Sequence, residues 1–150
     1  GGNDARVFRS TDRGKTWSVA NTPIVKGTSG SGIFSIAMFD AKNGVIVGGN
    51  YEKPEESRNN LAFTGDGGKT WTAATGLTGY RSGVAYIDNR TIIAVGSNGA
   101  DVLRDLKPVG GTSGKENFNS TQSRGRNAVW AVGAKGLVSR YVGAMTITLD

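Results

Sequence analysis

Three stretches of this chain are apolar at nearly every position: Asn43-Gly44-Val45-Ile46-Val47-Gly48-Gly49, Thr91-Ile92-Ile93-Ala94-Val95-Gly96-Ser97 and Ala128-Val129-Trp130-Ala131-Val132-Gly133-Ala134. Short continuous apolar runs bounded by turn residues predict strands buried on both faces. The small residues Gly48, Gly96 and Gly133 are expected to let adjacent sheets approach closely. Between the runs lie shorter segments rich in Thr, Val, Ile and Ala, separated by glycine-containing turns, and no helical period is sustained anywhere. The pattern predicts an all-β protein of short strands joined by tight turns.

A second repeat runs beside the first. Ser10-Thr11-Asp12-Arg13-Gly14-Lys15-Thr16-Trp17 returns as Thr64-Gly65-Asp66-Gly67-Gly68-Lys69-Thr70-Trp71, 54 positions later. Each copy lies between strand-like segments, so each predicts a hairpin whose turn is closed by its aspartate. An Asp side chain accepts bonds from backbone N–H groups a few residues on. Gly14 and Gly68 supply the positive φ of a tight turn. Trp17 and Trp71 are each expected to bury a ring against a neighbouring repeat.

The motif resembles the Asp-box, or bacterial neuraminidase repeat, of β-propellers. That resemblance places Ser10, Asp12, Gly14, Thr16 and Trp17, and likewise Thr64, Asp66, Gly68, Thr70 and Trp71, on the turn between the third and fourth strands of a blade. The role it implies for them is structural: no catalytic residue, metal or cofactor is expected there. In this register residues 5–20 give the outer two strands of a blade, and 33–74 and 84–109 give complete blades. Residues 119–149 give a further partial one, with Thr146-Ile147-Thr148-Leu149 adding a strand. The strands expected within the complete blades are 33–39, 45–48, 61–64 and 70–74, then 84–87, 91–96, 102–104 and 106–109. After Asp105 the third box is eroded, which predicts a tighter hairpin with Leu106 near the tryptophan position. Residues 110–114 read as a flexible loop.

The count is thus about three and a half blades, fewer than the roughly four to eight that close a ring. The first blade lacks its inner strands and the last is read as lacking outer ones, so two copies are expected to complete a ring of about seven blades as a homodimer. A piece of a longer propeller is the alternative.

Composition narrows the chemistry. The 150 residues hold 24 glycines, no cysteine and no histidine. That removes disulfides, thiolate sites, Ser-His-Asp catalysis and the commonest zinc ligand. The net charge of +6 comes from scattered arginines and lysines without a basic run or recognition helix, so nucleic acid is not expected as a partner. No apolar run is long enough to span a membrane, and Gly1-Gly2-Asn3-Asp4 does not read as a signal peptide.

The resemblance to β-propellers implies ligand chemistry on the face formed by the fourth-to-first and second-to-third strand connections, here 21–32, 49–60, 75–83, 97–101, 110–118 and 134–136. The longest, 49–60, carries Tyr51 and Arg58, and the next carries Tyr80 and Arg81. These four residues outline a possible groove for a peptide or a sugar. Glu55 and Glu56 are adjacent in sequence, which is not the facing geometry of a glycosidase.

Over nearly its whole length the chain also resembles the photosystem II stability/assembly factor-like proteins of bacteria, through 9–17, 66–71 and the Ala-Val-Gly strands. That likeness implies a non-enzymatic assembly scaffold with a protein partner, often outside the cytoplasm. A lectin-like carbohydrate-binding propeller is the alternative. The sialidases share the box, but the chain lacks their early Arg-Ile-Pro element and a Tyr/Glu pair.

Overall fold

The computed structural model describes residues 3–109 and 115–143, and the backbone of 147–149. The expected loop at 110–114 and Thr146 lie outside the described residues. The described residues form four sheets, each built from strands consecutive in sequence and antiparallel. The first holds β1 (Arg6–Arg9) and β2 (Ser18–Asn21); the second holds β3 (Ser31–Met38), β4 (Gly44–Asn50), β5 (Leu61–Thr64) and β6 (Thr72–Ala74). The third comprises β7 (Gly83–Tyr86), β8 (Thr91–Gly96), β9 (Gly99–Arg104) and β10 (Lys107–Pro108). The fourth comprises β11 (Phe118–Ser123), β12 (Val129–Gly133), β13 (Val138–Tyr141) and β14 (Ile147–Leu149).

The core lies between sheets. Val7 packs with Ile24, Ile46, Ala62 and Trp71 between the first and second sheets. Val45, Val47 and Leu61 meet Val84, Ile92 and Leu103 between the second and third. Ile93, Val95 and Val102 meet Phe118, Val129 and Ala131 between the third and fourth. Every residue of β4 and β8 is buried, because each has a sheet on both sides. Full burial of a Val, Ile or Leu contributes roughly 1.5–3 kcal/mol, so these strands carry much of the stability. The third apolar run behaves differently. In β12 Val129 and Ala131 are buried but Trp130 and Val132 are exposed, since no described sheet covers that side.

Three other expectations are corrected. First, Gly48, Gly96 and Gly133 do not serve the approach of neighbouring sheets. A Cβ at each would lie 1.9–2.1 Å from a carbonyl oxygen in the same sheet's inner strand or the segment leading into it: Gly32, Tyr80 and Asn117 respectively. The crowding accompanies a register slip, seen between Ile33 and Ser35 and again between Phe118 and Ser120. Second, the fourth sheet has four strands, β14 pairing with β13, so among the described residues the first sheet alone has fewer than four. Third, the 97–101 connection is only Ser97-Asn98, because Gly99–Asp101 are already strand paired with β8.

The three glycines also fix the repeat register. Ile33, Arg81 and Phe118 occupy equivalent places beside them. In the same register Ile36, paired with Ile46, matches Val84, paired with Ala94. Met38, opposite Gly44, matches Tyr86, opposite Ile92.

Candidate functional site

The two box turns are built alike. In the first, Thr16 donates its backbone N–H to Asp12 Oδ1 at 2.9 Å and its hydroxyl to Oδ2 at 2.6 Å, while the Gly14 N–H reaches Ser10 Oγ at 2.7 Å. In the second, Thr70 donates to Asp66 at 3.0 and 2.6 Å, Lys69 N–H adds a bond at 2.9 Å, and Gly68 N–H reaches Thr64 Oγ1 at 3.0 Å. With the Ser10 and Thr64 hydroxyls, Asp12 accepts three bonds and Asp66 four, and bonds to a carboxylate favour its charged form. The Thr16 and Ser10 bonds hold Asp12 at a pKa of about 2, and the Thr70 and Thr64 bonds hold Asp66 lower still. Both aspartates have their acceptor capacity turned inward on their own turns.

The tryptophans part company. Trp71 is 9% exposed and packs on Ala5 and Ile24, whereas Trp17 is 60% exposed. Trp71 faces back toward the first sheet; Trp17 faces the same way, where no described sheet lies. The expected burial of Trp17 is therefore not met. The third hairpin is a two-residue turn, with Asp105 and Leu106 both at positive φ. Leu106 lies in the turn itself, and the Asp105 carboxylate takes Arg90 instead of its own turn's N–H groups.

On the opposite side of the sheets, the connections 22–30, 51–60, 75–82 and 97–98 share one face, as alternation in a sequential antiparallel sheet requires. Here Tyr51 and Tyr80 come together, with ring centroids 6.5 Å apart, and both meet Phe34 edge-on at 6.1 and 4.8 Å. Tyr80 is buried, while Phe34 and Tyr51 expose their rings. Burial, with a smaller effect of Tyr51, pushes the Tyr80 phenol above its usual range. Phe34 was not foreseen as part of this face. It is the extra residue in the slip between Ile33 and Ser35, and two consecutive large apolar side chains in an otherwise alternating strand were the available signal.

Arg81 does not reach this face as a free cation. It is fully buried, its Nε donating to Asp101 at 2.8 Å and its Nη2 lying 2.6 Å from the same carboxylate. Its remaining bonds go to Asn98 Oδ1, Thr78 Oγ1 and the Tyr80 carbonyl. Burial pulls the guanidinium below its ordinary pKa and the Asp101 charge opposes that shift. Its role is positional. Asn98, held by Arg81, donates to the Pro54 carbonyl at 2.9 Å, and the Tyr80 N–H bonds the same carbonyl at 2.8 Å. The network thus ties the long connection to the aromatic cluster. Arg58 is exposed on that connection, beyond the tether.

A cleft of about 660 Å³ opens between the third and fourth sheets, where Arg126 pairs with Asp88 at 2.6 Å beside Arg104 and Arg140. Arg140 lies over the Trp130 ring and donates to the Asn127 carbonyl. Among the described residues no three metal-ligating side chains cluster, and no helix is long and apolar enough to cross a membrane.

Radially stacked four-stranded sheets with buried second strands define a β-propeller architecture. No family model and no curated protein sequence matches the chain. Among solved structures it is similar to a propeller, YCF48 bound to D1 peptide, with a TM-score of 0.58 and 15% identity. The match covers 78% of this chain and 40% of that one, so this chain spans less than half of its neighbour's length. At that identity the likeness establishes the β-propeller fold.

Proposed function

We propose that the chain is a non-enzymatic interaction module whose loop face, centred on Phe34, Tyr51 and Tyr80, binds an extended segment of a protein partner. The observation that carries this is the pairing of two exposed rings with a third locked by the Arg81 network. Rigid aromatics supply contact area at low entropic cost. The described side chains favour binding over chemistry: both box aspartates are spent on their turns, and Arg81 on Asp101. The neighbour's bound peptide is in keeping with a polypeptide ligand. The box turns then act as structural clamps at the far rim, in keeping with an Asp-box scaffold of the assembly-factor kind.

A displayed library of random peptides, selected on the full chain, tests this reading. The expected result is enrichment of binders whose affinity falls at least about tenfold with Tyr51→Ala or Phe34→Ala at unchanged melting temperature. Binding of glycans on an array, with no peptide enriched, would move the assignment to a lectin. Self-association is a second reading, favoured by apolar side chains on both terminal sheets: Phe8, Trp17 and Val19 on one, Trp130, Val132 and Val138 on the other. Sedimentation equilibrium tests it, a dimer supporting it and a monomer at all concentrations removing it.

A further inference from the structure

The spaces between consecutive sheets are closed to different degrees at the rim that carries the box turns. In the register set by Gly48, Gly96 and Gly133, the residues Met38, Tyr86 and Ser123 hold one equivalent place on the inner strands of the second, third and fourth sheets. Trp71, Pro108 and Ile147 hold another, on the outer strand or just before it. Trp71 fills the space between the first and second sheets and is 9% exposed. Tyr86 packs on the core between the second and third, where a gap of about 160 Å³ remains. The fourth sheet has serine and isoleucine at these two places and so supplies no ring from either. Between the third and fourth sheets the cleft measures about 660 Å³.

The two walls of this cleft differ in chemistry. On the fourth sheet, Tyr141 and Val142 line it, Tyr141 standing at the place of Leu103. On the third, Val102 packs toward the fourth sheet, and Arg104, two residues further along β9, shares that face. Asp88 is the carboxylate of the lining and is taken by Arg126 at 2.6 Å. Asp105, next to Arg104 in sequence, is taken by Arg90. Arg140 pairs with Trp130 across the strands and turns its guanidinium onto that ring, on the face away from the third sheet. Among the described residues Arg104 is therefore the cation of the cleft with no carboxylate of its own. A single surplus positive charge between low-dielectric walls attracts a monoanion.

We infer that the cleft between the third and fourth sheets binds a small planar aromatic carboxylate. Its ring takes the kind of space that Trp71 fills between the first two sheets and stacks on Tyr141. Its carboxylate accepts a forked pair of bonds from the Arg104 guanidinium. The volume falls within the roughly 300–1,000 Å³ of small-molecule sites. Both features are needed to specify the ligand: an aliphatic anion leaves the ring-sized space wet, and a neutral ring leaves Arg104 without a counter-charge. The site lies at the opposite end of the sheets from Phe34, Tyr51 and Tyr80 and is independent of the role proposed for them.

Titration calorimetry of the full chain with indolepropionate, whose ring matches that of Trp71, is expected to give saturable one-to-one binding. Chemical-shift changes are expected at Ile87, Val109 and Tyr141, which line the cleft, and not at Tyr51 or Tyr80. The neutral isostere indolepropionamide and the ring-free propionate are each expected to bind at least about tenfold more weakly. Arg104→Gln, at an exposed position, is expected to bring acid and amide to equal affinity. Val109→Trp, which places a ring in the cleft, is expected to abolish binding while melting stays cooperative. Equal affinity of acid and amide for the unaltered chain, binding indifferent to Val109→Trp, shifts centred on the loop face, or no saturable binding would each overturn the proposal.

Discussion

The two box hairpins share one hydrogen-bonding plan and differ in what their tryptophans touch. Thr16 and Thr70 hold Asp12 and Asp66 with bonds matched to within 0.1 Å, yet Trp71 is sealed between sheets and Trp17 stands in solvent. The motif therefore contains two separable devices. The aspartate closes a turn using residues of that turn alone, and it does so whether or not a neighbour is present. The tryptophan is an intersheet wedge whose value depends on the surface offered to it.

Separating the devices gives a graded set of expected effects. Trp71→Ala is expected to cost about 3–5 kcal/mol in urea unfolding, against less than about 0.5 kcal/mol for Trp17→Ala. Equal costs at the two sites would show that Trp17 is buried in solution. Next, Arg81→Ala leaves Asp101 as a buried unpaired charge and is expected to cost about 3–5 kcal/mol. The double change Arg81→Ile with Asp101→Ala reproduces the Ile33 and Ala62 pair of the preceding sheet and is expected to recover most of that loss. No recovery would mean that the Asn98 and Thr78 bonds, rather than the charge pair, are the larger contribution.

The aspartates should separate by pH. Both carboxylates are depressed in the folded chain, so their stabilisation is complete above the ordinary carboxylate pKa and is lost as pH falls through the folded value. For Asp12 that window runs from about pH 4 down to about pH 2. The Thr70 amide resonance is expected to titrate at lower pH than that of Thr16, because the Thr70 and Thr64 bonds to Asp66 are joined by one from the Lys69 N–H. Coincident titrations would show that Lys69 contributes nothing. The smallest effect is expected at Lys69→Ala, which keeps the backbone donor and should leave both transitions unmoved.

The sequence revealed the box turns and the buried strands because both are written locally, in spacing and in unbroken apolar runs. It concealed Arg81, since an arginine beside a tyrosine in a connection reads as surface. Only in the register set by Gly48, Gly96 and Gly133 does Arg81 fall at the place of Ile33 and Phe118, with Asp101 at the place of Ala62. Phe34 was hidden for a related reason: a one-residue slip changes which side chain meets the face, and composition does not reveal a slip. Trp17 was misjudged because burial belongs to a pair of surfaces, and a motif encodes only one of them.

The Pro54 carbonyl, held from two sides by Tyr80 and Asn98, divides the long connection into two zones of unequal freedom. Its tethered base keeps the rings in place, while Glu55, Glu56 and Arg58 stand outside the tether in solvent. Glu56 and Arg58 can be exchanged without disturbing the aromatic platform, whereas Glu55 also favours the charged form of Arg81. On the proposed binding role, grip and discrimination fall on separate residues, and a lineage could change the choice of partner by rewriting the outer zone while inheriting the same hold.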